Sequence, residues 1–237
     1  MLVNELGLMP YRQAWAEQEA AHAAVVEGGA ERLLLVEHPP VVTFGRRPGQ
    51  EKNVRATGQR LAELGVEVVR SDRGGDVTFH GPGQLVAYPI IRLADHRLSV
   101  GAYVQRLQDV VIVTVAQWGI QAKKDSSAIG VWVDGAAAMI GRETASDDQN
   151  LSTIACGFAP AKLCALGVRI RRGVSLHGIA LNVSTDLRYF ELIVPCGLAA
   201  CGVTSLRELL GTAAPTMERV KEALVGQMRV TFRPGER

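Results

Sequence analysis

A few stretches of the sequence carry side chains that could do chemistry. Cys196 lies in LIVPCGL. Pro195 fixes the local backbone and Gly197 admits close approach of another backbone. A thiol at such a corner can be presented to a cleft, with nearby backbone N–H groups holding an oxyanion. The structural alternative is a buried cysteine filling a small apolar hole, since free cysteine is among the most buried residue types. Lys162 opens KLCALGVRI, where a strand should emerge from a long loop. Such a lysine is ordinarily solvated. Directed into a partly dry cleft, it could stabilise a neighbouring thiolate or, once desolvated, serve as a base. His80 precedes GPG and His177 sits in SLHGIALN. Both read first as turn or packing residues, and a Cys–His dyad with either stays open.

The run RGGDVTFHGPGQ, residues 73–84, is glycine-rich. It is neither a GxGxxG fingerprint nor a loop ending in Gly-Lys-Ser/Thr. It leads into a strand rather than a helix, so no helix N-terminus is on offer for a phosphate. A glycine pair feeding a strand instead lets a ligand lie against bare backbone. CxxC, HxxxH and HExxH spacings are absent, so no metal site is expected. Asp147 and Asp148 fall in a polar loop and read as solvated.

Several elements must position these groups. A helix is expected from Tyr11 to Glu27, after Pro10 and before Gly28-Gly29. Strands are expected at 32–38 and 41–45, split by Pro39-Pro40, then a short helix at 58–65 and strands at 66–70, 76–80 and 84–91. Ser99 caps a helix through about Trp118. A strand at 128–135 precedes a long segment, 136–161, whose polar middle reads as an inserted surface loop. Two strands within 163–184 turn at Arg172-Gly173. Helices at 205–211 and from Thr216 to Met228 follow, and RVTF, residues 229–232, reads as a closing strand. The alternation of strand and helix is irregular, which favours a mixed α/β (α+β) fold over a doubly wound sheet.

Composition sets the class. The chain has 237 residues, 47% of them apolar and 21% charged, enough for one large domain with an ordinary core. A formal net charge of +2 without a Lys/Arg run gives no case for nucleic acid. The N-terminal residues lack the basic and apolar regions of a signal peptide, and apolar runs are too short to span a bilayer. The four cysteines show no CxxC pairing, and an even count in a chain this long is weak evidence for disulfides. The expectation is a soluble, cytoplasmic, thiol-containing protein.

Three separated motifs, RGGDVTFHGPGQLVAYPI, KLCALGVRIRRGVSLHGIALNV and VPCGL…GVTSL, occur in the order found in the octanoyltransferases of lipoate biosynthesis, which the sequence resembles over most of its length. The resemblance implies a fold akin to biotin and lipoate–protein ligases: a mixed sheet flanked by helices with a smaller sheet beside it, in a single catalytic domain over 1–237. It implies transfer of an octanoyl group from acyl carrier protein to a lysine of a lipoyl domain, with E2 subunits of 2-oxoacid dehydrogenases and the glycine-cleavage H protein as acceptors. No cofactor is implied, and the protein is expected to act as a monomer. The family's nucleophile falls on Cys196 and its thiol-activating lysine on Lys162. Its acyl-binding segments fall on Arg73, Gly74, Gly75, Asp76, Val77, Thr78, Phe79 and His80, on Ala165, Leu166 and Gly167, and on Gly178, Ile179 and Ala180. The long loop at 136–161 departs from the compact hairpin expected there, and Cys164 and Cys201 match no family role.

Two other classes compete. An ATP-dependent lipoate or biotin ligase would use RGGDVTFHG as a nucleotide loop, but no phosphate-binding lysine stands near Gly75. A non-catalytic module would bind an acyl chain or carrier protein without transfer.

Overall fold

The computed structural model describes residues 1–125, 128–134, 160–194 and 202–233. Cys156, Cys196 and Cys201 lie outside these residues, as does the expected loop at 136–161 apart from its last two positions. In chain order the elements are β1 (Leu2–Leu8), α1 (Tyr11–Val26), β2 (Arg32–Glu37), β3 (Val41–Phe44), α2 (Gly58–Glu63), β4 (Glu67–Arg70), β5 (Thr78–His80) and β6 (Gln84–Ile90). Then come α3 (Val100–Ala116), β7 (Ala122–Lys124), β8 (Val131–Val133), β9 (Ala161–Arg171), β10 (Val174–Asn182), β11 (Gly202–Val203), α4 (Leu206–Leu210) and α5 (Met217–Thr231).

The large sheet runs β1-β2-β6-β10-β9-β8-β7, with β11 also paired to β9, and a small sheet runs β4-β3-β5. Both contain parallel and antiparallel pairs. Period-two alternation in β2 decides which side is which. Leu33 and Leu35 pack with α3 and α5 residues such as Tyr103, Leu107, Leu224 and Met228. Leu34 and Val36 pack against Ala14, Ala21 and Val25 of α1. The sheet is therefore sandwiched between α1 on one face and α3 with α5 on the other. The small sheet has its own cluster around Val42, Phe79 and Phe190.

Hydroxyl caps start α2, α3, α4 and α5, whereas α1 starts after Pro10 without a side-chain cap. Ser99, Thr57, Ser205 and Thr216 each accept a hydrogen bond from the backbone N–H three residues on. The end of the chain differs from expectation. The residues read as a closing strand continue α5 through Thr231. Val220, Leu224, Met228 and Phe232 are all buried, a spacing of four that a helix face meets and a strand does not. The strand expected at 128–135 is confined to Val131–Val133, and β1, β7 and β11 were not anticipated. Among the described residues, no helix is long and apolar enough to cross a membrane.

Candidate active site

The hairpin β9–β10 is the backbone of the site. Its register pairs Ala165 with Ala180 and Gly167 with Gly178. The loop before β5 folds down onto β9, where Gly74 N–H donates to Val168 O at 3.0 Å. Glycine is needed on both sides of this approach. A Cβ on Gly167 would stand 2.7 Å from Gly74 O, and one on Gly74 would stand 2.9 Å from Val168 O. The space these two glycines leave is thus filled by backbone, which closes one wall of a cavity.

That cavity has a volume of about 480 Å³, within the range of small-molecule sites. Residues 73–78, 165–167 and 178–180 line it, together with His80 and Lys162. Val77, Val86, Leu166 and Ile179 give it apolar walls. Phe79 does not line it. Strand alternation turns that ring to the other face of β5, where it stacks on Tyr189 at 4.8 Å and meets Phe190 edge-on at 5.5 Å.

Lys162 reaches the cavity because β9 carries a bulge. Against β8, Val131 pairs with Cys164 but Trp132 pairs with Lys162, so Leu163 is an extra residue. Leu163 and Cys164 both pack into the core with α3, although successive strand residues ordinarily face opposite sides. Without the extra residue, Lys162 would share the face of Cys164 and enter that core. With it, Lys162 lines the cavity at only 5% exposure, its Nζ 4.6 Å from the centroid of the Trp132 ring. The other edge of Lys162 is flanked by β11: Val203 pairs with it and Thr204 N–H donates to its carbonyl at 3.0 Å. Cys164 itself is a core thiol, and burial pushes its pKa up to about 12.

His80 is fixed as a neutral ring. Gln84 Nε2 donates to Asn182 Oδ1 at 2.9 Å and to Phe79 O at 3.3 Å, so Gln84 Oε1 faces His80 and accepts from its Nδ1 at 2.7 Å. His80 Nε2 then faces Thr43 Oγ1 at 3.4 Å, and that oxygen also accepts from Arg73 Nε at 3.2 Å. Burial, with nearby His38 and Arg73 adding repulsion, holds the His80 pKa well below the ordinary histidine value. This ring is a strut of the wall. His177 lines the cavity too, in a left-handed backbone conformation (φ 58°), with Nε2 2.5 Å from Asp72 Oδ1. Burial beside Arg73 and Arg169 keeps it neutral. Arg73 is buried, its guanidinium donating to Thr43 and to Gly74 O.

Residue-by-residue reading missed several of these groups. Gln84 and Asn182 carry the wall network, and His38 bridges Met9 O at 2.7 Å and the Tyr88 hydroxyl at 2.8 Å behind it. Their only local signal is a polar side chain inside an apolar strand. Trp132 had no signal beyond its place in GVWV. The expected nucleophile, Cys196, lies outside the described residues. Taken together, the arrangement offers an apolar slot, backbone-lined on one side, with a buried amine in its wall. Such a slot has the size and lining for an acyl chain.

The family model for the lipoyl protein ligase A/B catalytic domain matches residues 10–229. An octanoyltransferase from Chloroflexus aggregans is 42% identical over 234 residues, covering 98% of this chain and 95% of that protein. In fold, the chain superposes on a T. acidophilum protein assigned as a lipoate protein ligase and solved with bound lipoic acid. The TM-score is 0.71 at 16% identity, covering all of this chain and 88% of that one. A biotin protein ligase from Aquifex aeolicus, in complex with biotin and ATP, gives a TM-score of 0.51 at 10% identity, covering 97% of this chain and 69% of that one. The mixed sheet with flanking helices and a small adjoining sheet is the fold expected from the sequence motifs.

Proposed function

The chain belongs to the lipoyl protein ligase A/B catalytic domain family, and from that membership we propose that it is an octanoyltransferase of protein lipoylation. The observation that carries this is the near full-length likeness to octanoyltransferases. The buried Lys162 in the wall of an apolar cavity supports the chemistry.

The donor is octanoyl acyl carrier protein, and Cys196 is the nucleophile. Its thiolate adds to the thioester carbonyl, the carrier thiolate leaves, and an octanoyl thioester forms on Cys196. One thioester replaces another, so this step is close to balanced. The Lys162 ammonium stabilises the attacking thiolate. Backbone N–H groups around Cys196 hold the oxyanion. The acceptor lysine of a lipoyl domain, of an E2 subunit or the glycine-cleavage H protein, then attacks as a free amine. It loses a proton, the Cys196 thiolate leaves, and an amide remains. Thioester to amide runs downhill, so no ATP is consumed. The octanoyl chain lies along residues 73–78, His80, 165–167 and 178–180. The chain works as one catalytic domain, a monomer in the cytoplasm, and docks protein substrates at both half-reactions.

Sequence spacing alone does not bring Cys196 beside Lys162, but the β11–β9 pairing supports it. The segment holding Cys196 leads directly into Gly202 and Val203, which pair with Ala161 and Lys162. The test is transfer from octanoyl carrier protein to a purified lipoyl domain without nucleotide. Octanoylation lost in Cys196→Ser and in Lys162→Ala is the expected result. Labelling that requires ATP and free octanoate, and survives Cys196→Ser, would instead make the chain a ligase.

A further inference from the structure

Lys162 needs more than a bulge to work. A lysine stem has four rotatable bonds, and ordering such a side chain costs rotamer entropy. A group that acts on a reacting thiol must nevertheless be held in place. The described residues around Lys162 form a holder built from β8 and the turn before it.

Trp132 is directly opposite Lys162 in the β8–β9 register, and the two side chains share the face turned away from the α3 core. Val131 and Val133, on either side of Trp132, are members of that core. The indole is 2% exposed, and its Nε1–H donates to Ala128 O at 3.0 Å, which fixes the ring plane. Its face is what Lys162 Nζ meets at 4.6 Å. Gly130 supplies the gap for the stem: a Cβ there would stand 3.0 Å from Lys162 Cε and 3.2 Å from Trp132 Nε1. Gln108, from α3, fixes that turn by donating to Gly130 O at 2.8 Å.

We propose that Trp132 is the positioning residue for Lys162, its indole face holding the ammonium in the cavity wall through a cation–π contact while Gly130 leaves room for the stem. The proposal rests on the reading of Lys162 as a functional group of the transfer reaction. Trp132 acts through Lys162 and touches no reacting atom. A cation–π contact is strongest where it is desolvated, as it is here, and it depends on the electron density of the ring face as well as on its shape.

That dependence gives a test that a packing role would not pass. Tryptophans carrying one to four ring fluorines, placed at position 132 alone, withdraw density from the face at nearly constant size. The expected result is a stepwise fall in kcat for octanoyl transfer across the series, reaching about tenfold, with KM for the acyl carrier donor unchanged. Trp132→Phe should retain more activity than Trp132→Leu, and thermal melts of the fluorinated proteins should coincide. A flat kcat across the fluorinated series, with Lys162→Ala inactive, overturns the proposal and leaves the reading of Lys162 intact. Full activity in Lys162→Ala overturns that reading, and the proposal with it.

Discussion

His80 donates its Nδ1 proton to Gln84 Oε1, 2.7 Å away, in the wall of the cavity. The amide of Gln84 is locked by its bond to Asn182, so the histidine tautomer is set from outside the pocket. Gln84→Leu keeps the approximate volume and removes both links. It strands the buried His80 Nδ1–H, at about 1–3 kcal/mol, while Asn182 Oδ1 keeps its bond from Thr185 Oγ1. Urea titration should show a loss of stability of that order, with m unchanged.

His38 makes stability depend on acid. Its Nδ1 donates to Met9 O and its Nε2 accepts from the Tyr88 hydroxyl, so the neutral ring satisfies both neighbours. Burial lowers its pKa to about 4, against about 6.5 unfolded. Below pH 6.5 the unfolded chain takes up a proton that the native chain refuses. Stability therefore falls as pH drops from about 6.5 toward 4, by about 1.4 kcal/mol per pH unit for each such histidine. His80, also held neutral, adds to the same slope. Denaturation midpoints measured between pH 7 and pH 5 check this. Midpoints that are flat or rise on acidification would refute it.

The approach of Gly74 to Gly167 holds one wall of the cavity in place. Gly167→Ala must push the 73–75 backbone off β9 and strain or break the Gly74–Val168 hydrogen bond. The strain is worth about 1–3 kcal/mol. KM for the octanoyl donor should rise several-fold, because the displaced segment forms the wall. An unchanged KM in a folded variant would show that this wall does not touch the acyl chain.

Cys164 should be silent. Its thiol is fully buried in the α3-side core and its pKa is pushed up to about 12. Alkylation of the native protein at pH 8, read by peptide mass, should leave Cys164 unmodified until denaturant is added. Labelling at a rate comparable to free thiol would contradict the packing described.

These differences show where sequence is informative. The Ser99 cap is local chemistry, so that helix start is readable directly. RVTF reads as a strand because it is rich in β-formers, yet it continues α5 through Thr231. Its fate was decided by burial of Met228 and Phe232 against Tyr103 and its neighbours, a tertiary choice. Lys162 was identified by motif. The face it occupies depends on a bulge that appears only once β8 pairs with β9. Trp132, Gln84 and His38 acquire their roles from partners far along the chain, such as Asn182 and Met9. The segments 73–80, 165–167 and 178–180 came from resemblance, and in the structure all but Phe79 meet at one cavity.

The proposed transfer passes through an acyl enzyme on Cys196. Incubation with octanoyl acyl carrier protein, followed by intact-mass and peptide analysis, tests it most directly. The expected result is one octanoyl group, on Cys196, absent in Cys196→Ser and lost at neutral pH in Lys162→Ala. A wild-type protein that transfers octanoate without ever carrying it, or an adduct that persists unchanged in Cys196→Ser, would rule out Cys196 as the nucleophile.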